Sequence, residues 1–404
     1  MSKNTNFNGQ PILGQIIKFI NRSTINRISK KYDTDRYVKK FDGYTHLVTM
    51  LYAVLKDFTS LREVCINLLS DSHKLQHLGI DYFVNKSTLS DANKRRSSKF
   101  FEAIYMSLYS QYGRSLSDSC IDKKLLSRLY IIDSTTISLF KQILKGAGRN
   151  PKYGKKKGGI KVHTVIRADE DVPCLVKCTA AAKHDHTLLK YLDLPKGSFL
   201  TFDKAYVDYA AYEKFSQNTI YYITKLKNNA KYLSEVEIDI SEQADSGILK
   251  DEVILLNYGE NKKLTHKARR IAYWENDKSK LIVYVTNNFE LSAESIVGIY
   301  KKRWQIELLF KRLKQNFPLK YFLGDNVNAI EIQIWTVLIA NLFMTLIRSS
   351  LTKSKLAFST MISIVKNQLM YYIDLIKLLN NPIGTWIEQN KKRDKKTQLL
   401  LFEI

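Results

Sequence analysis

Two aspartates each terminate a short apolar run. Asp133 follows Leu129-Tyr130-Ile131-Ile132, and Asp203 follows Phe199-Leu200-Thr201-Phe202. A carboxylate at the end of a buried strand loses hydration, and a cation must offset that loss. Two such carboxylates in one sheet therefore point to a shared divalent ion held by oxygen ligands. Taken singly, each is more often a turn residue or a helix N-cap. A third acid, Glu307, lies in the run Tyr300-x2-Arg303-x3-Glu307-x6-Lys314. Read as one helix advancing about 100° per residue, these four residues fall within about 60° of one another on the wheel. Ile299, Ile306, Leu309, Phe310 and Leu313 form the adjoining apolar face. An amphipathic helix with an ordinary i,i+4 ion pair explains that stripe. It does not explain a single acid among cations at the edge of the buried side.

The elements that must position these residues change along the chain. Residues 7 to about 125 read as helical, with Ile12, Ile16, Ile17, Phe19 and Ile20 at helical spacing, then Leu47 to Leu55, then a break at Asp57 to Ser60. The segment Ser87 to Arg96 opens on N-cap residue types and closes on Lys94-Arg95-Arg96. It reads equally as the recognition helix of a DNA-binding domain, with Arg95 and Arg96 on DNA, and as a solvated basic face. From Leu129 the pattern becomes β-rich. Ile160 to Ile166 and Val172 to Cys178 are strands joined at Ala168 to Asp171, a helical stretch falls near Leu188 to Leu192, and Ser198 to Phe202 leads to Asp203. Helical spacing resumes over Ala205 to Phe215, and Tyr221 to Thr224 could form a fifth strand. Together these specify an α/β fold, a mixed sheet flanked by helices. Residues 225–286 interrupt it with strand candidates Val253 to Leu256, Arg270 to Trp274 and Leu281 to Val285, after which a helix runs from Ser292 to about Gln315.

Composition narrows the partners. The 404 residues carry 64 Lys+Arg against 39 Asp+Glu, a formal charge of +25, which favours a polyanion. With 45% apolar residues, 24 Tyr and 18 Phe, the chain can bury a large core, which excludes intrinsic disorder. Met1 to Gln10 lacks the order of a signal peptide, so a cytoplasmic protein is expected. The apolar stretch Ile330 to Ile347 contains Glu331, Gln333 and Asn341 and reads as a buried helix, not a membrane span. Cys65, Cys120, Cys174 and Cys178 lack the spacing of a disulfide framework or a zinc site. The basic run Lys152 to Gly159, with Lys155, Lys156 and Lys157, reads as a DNA-contacting loop, with a solvated loop as the alternative.

The Tyr-Arg-Glu-Lys spacing, with Asp133 and Asp203, resembles the DDE-type transposases of bacterial insertion sequences, in the insertion sequence four branch. Asp203-Lys204-Ala205-Tyr206 is similar to the element around that family's second acid. Lys161-Val162-His163 and His184-Asp185 also sit where many members have similar residues. Phe7-Asn8-Gly9-Gln10-Pro11 through Leu61-Arg62-Glu63 resembles a small helical domain found ahead of some of these catalytic domains. The resemblance implies a ribonuclease H-like catalytic domain with a β-rich insertion, flanked by an N-terminal helical domain and a helical C-terminal region. The expected divisions are 1–125 for the helical, DNA-end-binding domain, 126–224 and 287–325 for the catalytic domain, 225–286 for the insertion and 326–404 for the C-terminal region.

The resemblance also implies chemistry. Asp133, Asp203 and Glu307 would be catalytic and hold Mg2+, with Mn2+ able to substitute and two ions expected. Tyr300, Arg303 and Lys314 would contact phosphates of the transposon end. Trp304 is expected in the core, with stacking on a base as the alternative. His163 and His184 are expected to be structural or to support the metal site indirectly. The partners would be double-stranded DNA, both the inverted-repeat ends and the target, with a dimer in the DNA complex. Competing readings are a ribonuclease H-like nuclease or resolvase that cuts without joining, and a non-catalytic DNA-binding descendant of a transposase.

Overall fold

The computed structural model describes residues 9–116, 123–138, 159–168, 170–240, 247–353 and 356–390. In chain order its helices and strands are α1 (Ile12–Ile17), α2 (Arg22–Lys31), α3 (Gly43–Lys56), α4 (Leu61–Ser70), α5 (Lys86–Arg95), α6 (Ser98–Leu116), α7 (Lys123–Leu126), β1 (Leu129–Ser138), β2 (Gly159–Arg167), β3 (Pro173–Ala180), β4 (Phe199–Phe202), α8 (Tyr209–Gln217), β5 (Tyr221–Lys225), β6 (Leu233–Glu237), β7 (Ile248–Tyr258), β8 (Leu264–Glu275), β9 (Lys280–Thr286), α9 (Ala293–Lys301), α10 (Trp304–Asn316), α11 (Val327–Leu346), α12 (Phe358–Gln368) and α13 (Leu375–Asn380). They divide into two compact units, Ser117–Lys311 on the one hand and Met1–Leu116 with Arg312–Ile404 on the other.

Unit Ser117–Lys311 is built on one sheet in the order β3-β2-β1-β4-β5-β9-β8-β7-β6. β1, β2 and β3 are antiparallel neighbours, whereas β4 lies parallel to β1 and β5 parallel to β4. Three antiparallel strands followed by two parallel ones constitute a ribonuclease H-like sheet, as expected. Strand β4 is buried at every position, which explains its unbroken apolar run Phe199-Leu200-Thr201-Phe202. The stretch expected to be helical near Leu188 is a 3-10 turn, Asp185–Tyr191; its leucines face inward, but tighter i,i+3 bonding replaces the α pattern.

The β-rich insertion does not stand apart. β9 pairs with β5 antiparallel, Thr224 opposite Val285, so β6 to β9 extend the same sheet to an edge at β6. Ile254, Leu256 and Ala268 of the insertion share one core cluster with Phe202, Tyr212 and Tyr222. Buried His266 on β8 completes the join: Nδ1 lies 2.8 Å from Glu213 Oε2 on α8, and Nε2 lies 2.8 Å from the Tyr222 hydroxyl on β5. A fully buried ion pair fixes the return of the chain. Arg269 donates to both Asp251 carboxylate oxygens at 2.9 and 2.6 Å, and its Nη1 also donates to Leu291 O just before α9.

In the other unit, the apolar helix α11 packs against α3 and α6, joining the N- and C-terminal helical stretches that the sequence reading treated separately. The chain Val327–Leu351 is long and apolar enough to cross a membrane, and 94% of its apolar window is buried, as expected of a core helix. Two of its polar residues have partners: Gln333 donates to Pro318 O and Tyr321 O and accepts from Leu323 N, while Glu331 accepts from Ser98 Oγ at 2.6 Å; the buried Asn341 side-chain amide makes no hydrogen bond among the described residues. Asp57 ends α3 in the left-handed conformation at φ 60°, at the break read from sequence.

Removing one partner of the buried Asp251–Arg269 pair leaves the other charge unpaired, a cost of about 3–5 kcal/mol. Arg269→Met should lower the thermal midpoint of the full chain sharply, whereas Asp251→Leu combined with Arg269→Met should recover much of the loss. A single variant that melts with the wild type would contradict this role.

Candidate active site

The parallel register sets the two aspartates side by side. Ile132 on β1 pairs with Phe202 on β4, so Asp133 and Asp203 follow at the same level on adjacent strands; Asp203 lies just past the end of β4, whereas Asp133, expected to close its strand, sits within β1 opposite Thr164 of β2. β5 continues the pattern, since Thr224 Oγ1 donates to Phe202 O at 2.8 Å and Lys225 follows. Glu307 lies in the first turn of α10, where the helix dipole favours a carboxylate.

Arg303 binds two of these acids together. Its Nη1 donates to Asp133 Oδ2 at 3.2 Å, and its Nη2 donates to Glu307 Oε1. The guanidinium is only 15% exposed, against 21% for the Asp133 side chain and 32% for that of Glu307. Burial pushes the Asp133 carboxyl up to about 6; the Ser134 amide and Arg303 oppose that shift, and the nearby charges of Asp203 and Glu307 add to it. The three acids thus sense one another electrostatically. Among the described residues, no group of three or more His, Cys, Asp and Glu side chains is gathered closely enough to hold a metal ion. The donor chemistry nevertheless fits a hard cation: carboxylate oxygens at one level on adjoining strands, with Asp133 incompletely compensated by one guanidinium.

The sequence reading carried the wheel through residues 299–314 as one helix, and the structure breaks it. α9 ends at Lys301 and α10 begins at Trp304, with Arg303 N donating to Tyr300 O and Gln305 N to Lys302 O across a tight turn. Those i,i+3 bonds change the angular phase, so Tyr300 falls on the buried side. It is 5% exposed and packs on Tyr284 at 4.9 Å between centroids. Burial first, with the charges of Asp203 and Asp133, pushes that phenol up to about 12. As placed, Tyr300 cannot touch a phosphate; it lines the acids from within. Lys314 is exposed in the last turn of α10. Trp304, expected in the core, is instead 58% exposed, because it starts α10 just after the break.

Two neighbours complete the surroundings. Asp185 accepts from Ser134 Oγ at 2.7 Å and pairs with Lys161 at 3.1 Å, so the residue following Asp133 is held by a fourth carboxylate. His163, opposite Ser134 in the β1–β2 register, has its Nε2 2.9 Å from Thr179 Oγ1 and is held down to about 4 by burial, hence neutral. His184 stacks on His186. Lys225, which sequence reasoning passed over, is half-buried and lies over the Tyr300 ring at 5.3 Å; burial and Arg303 lower its pKa. The signal was available: like the two aspartates, it is a charge directly after an apolar run.

The remaining expected contacts scatter. Lys155, Lys156 and Lys157 lie outside the described residues. Arg95 is exposed on α5, beside Asp91. Arg96 is not available to DNA as expected: it is the C-cap of α5 in extended backbone, which turns its side chain inward to Asp35 at 3.1 Å and Phe41 O at 2.9 Å.

In metal-free buffer the Asp133 carboxyl should titrate near 6, above its ordinary 3.8. The native state then holds the extra proton between about pH 4 and 6, so this group favours the fold at low pH and that contribution is lost as pH rises through 6. Arg303→Ala removes a lowering charge and should move the midpoint higher. Carbon-detected NMR of labelled aspartate checks both, and a wild-type midpoint near 4 or a downward shift in the variant would contradict them.

The family described as "Transposase DDE domain" matches residues 124–343, and a "Domain of unknown function (DUF4372)" matches residues 8–81. A protein of Sinorhizobium fredii described as a putative transposase is 30% identical over 257 residues, covering 62% of this chain and 68% of its own length. A putative transposase for an insertion sequence element of Synechocystis sp. is 27% identical over 276 residues, covering 65% and 72%. A probable transposase for an insertion sequence element of Geobacillus stearothermophilus is 26% identical over 212 residues, covering 52% and 54%. Because the first of these matches takes in more than half of the chain, from before β1 to within α11, the chain belongs to the DDE-type DNA transposases of bacterial insertion sequences.

Proposed function

We propose that the protein cuts DNA at the two ends of its own element and joins those ends to target DNA, with Asp133, Asp203 and Glu307 as the catalytic acids. The observation that carries this assignment is the convergence of Asp133 and Glu307 on Arg303, with Asp203 level with Asp133 on the next strand. Transposases of this family use divalent metal ions. We assign the three acids as the ligands of Mg2+, with Mn2+ able to substitute and two ions bound. Bound metal supplies activation of a water or 3′-hydroxyl and charge stabilisation of the leaving oxygen.

The chain's own groups supply the rest. Arg303 is the one cation on Asp133 and Glu307 among the described ion pairs, and its planar fork suits a phosphate oxygen pair equally well. Arg303 would be the chain's own group for holding the scissile phosphate beside these acids. Lys225 adds a second charge on the far side of Asp203, and Asp185 orients the backbone after Asp133 through Ser134. Lys314, Arg95 and Lys155, Lys156 and Lys157 contact DNA phosphates, and exposed Trp304 stacks against a base beside the cut. Coordinated transfer requires two ends held together, which makes the DNA complex a dimer.

Purified full-length protein, end-bearing duplex and Mg2+ test the assignment. Asp133→Ala, Asp203→Ala and Glu307→Ala should each lower cleavage and strand transfer by about a thousandfold or more, the equivalent of several kcal/mol, while end binding persists. Cleavage retained by any of the three would remove that residue from the site. Nicked or cut products without joined ones in the wild type would instead mark a nuclease.

A further inference from the structure

Residues 32–42, between α2 and α3, form a turn held rigidly from within. Asp35 accepts from Gly43 N at 2.7 Å, from Arg96 at 3.1 Å and from the Ser29 hydroxyl, and Arg96 also donates to Phe41 O. Two non-glycine residues sit here in the left-handed region, Asp33 at φ 52° and Tyr37 at φ 60°. Such residues cost about 1–3 kcal/mol each and persist where the surroundings over-determine them, often at functional sites. The Asp35–Arg96 pair, its arginine buried and its aspartate half-buried, is the over-determining contact.

What this frame presents outward is cationic and aromatic. Tyr37 is 89% exposed, with the Arg36 guanidinium over its ring at 5.1 Å, and Lys40 lies over the Tyr82 ring at 5.6 Å. With Lys39 and Arg95 they line a cleft of about 720 Å³. The two acids at its rim, Asp33 and Asp91, pair with Arg36 at 3.3 Å and Arg95 at 3.5 Å, each pair more than half exposed. Exposed pairs of this kind contribute little, about 0–1 kcal/mol, and exchange readily for a stronger anion. The ring contacts meanwhile hold long side chains extended, which reduces the ordering entropy lost on binding.

Resting on the reading of the chain as an end-cutting transposase, we propose that this cleft is a second DNA site, which grips the sugar–phosphate backbone of the element's end duplex through Arg36, Lys39, Lys40 and Arg95, with Tyr37 laid against a sugar. It falls on the segment matched to a domain of unknown function, and extends to α5 beyond it. The surplus of cations over acids selects a polyanion, and the rigid turn distinguishes the cleft from a merely solvated basic surface. Residues aimed at phosphates position the duplex without reading its sequence.

The test measures binding of the full chain to labelled duplex bearing the terminal inverted repeat, and to an unrelated duplex of equal length, across a salt series. Each phosphate contact contributes about 0.9 to the slope of log affinity against log salt. Lys39→Ala with Lys40→Ala should weaken end binding at least tenfold and reduce the slope by about two. Tyr37→Ala should weaken it severalfold, with Tyr37→Phe restoring it. Lys30→Ala with Lys99→Ala, which removes as much charge from exposed positions outside the cleft, should change little. Unchanged end binding in the cleft variants, an equal loss in the control, or a loss confined to the unrelated duplex would overturn the proposal. Thermal midpoints establish that each variant is folded. Cleavage of the same duplex by wild-type protein is scored separately, so a failure of catalysis is not mistaken for a failure of the cleft.

Discussion

The guanidinium held against Asp133 within β1 is the constraint around which this site is arranged. Asp133 is largely removed from water and lies near two further acids, and burial alone would drive it towards the neutral form. Arg303 holds it and Glu307 at once, and can do so because the helix breaks at that residue. The break sends Tyr300 inward under the acids, Arg303 across them and Trp304 out to solvent, three fates for residues within five positions.

The sheet was readable because its signals are local. Apolar runs closing on Asp133 and Asp203 report buried strands whatever surrounds them, and the run at Tyr221 to Thr224 did the same for β5. The long-range joins were not readable. Nothing in the spacing of residues 225–286 states that β9 pairs with β5, because strand pairing is set by a shared core that forms only when Ile254 and Ala268 meet Tyr222. Strand β6 carries no burial alternation at all, being exposed along its whole length.

Individual side chains failed for equally specific reasons. The adjacent arginines 95 and 96 looked equivalent, but one is the last residue of α5 and the other its extended C-cap, so they point to different surroundings. The wheel over residues 299–314 correctly grouped Arg303 with Glu307, an i,i+4 pair that survives the turn, and misplaced Tyr300, which lies on the other side of it. Asp185 and Lys161 stand out by resemblance; only the β1–β2 register and the 3-10 turn bring Asp185 onto Ser134 and Lys161 onto Asp185.

Extending a catalytic sheet by four antiparallel strands moves one of its edges far from the chemistry, and the edge strand there, β6, is poorly suited to recruiting a neighbour. β6 is five residues long and exposes Glu235 and Glu237, which lean on Lys267 and Lys250 of the strands behind it. A second strand approaching there would meet carboxylates already engaged and a bulged register between Ser234 and Val236. Sheet continuation between copies is thereby disfavoured at this edge, so a strand-rich protein is guarded there against stacking on itself.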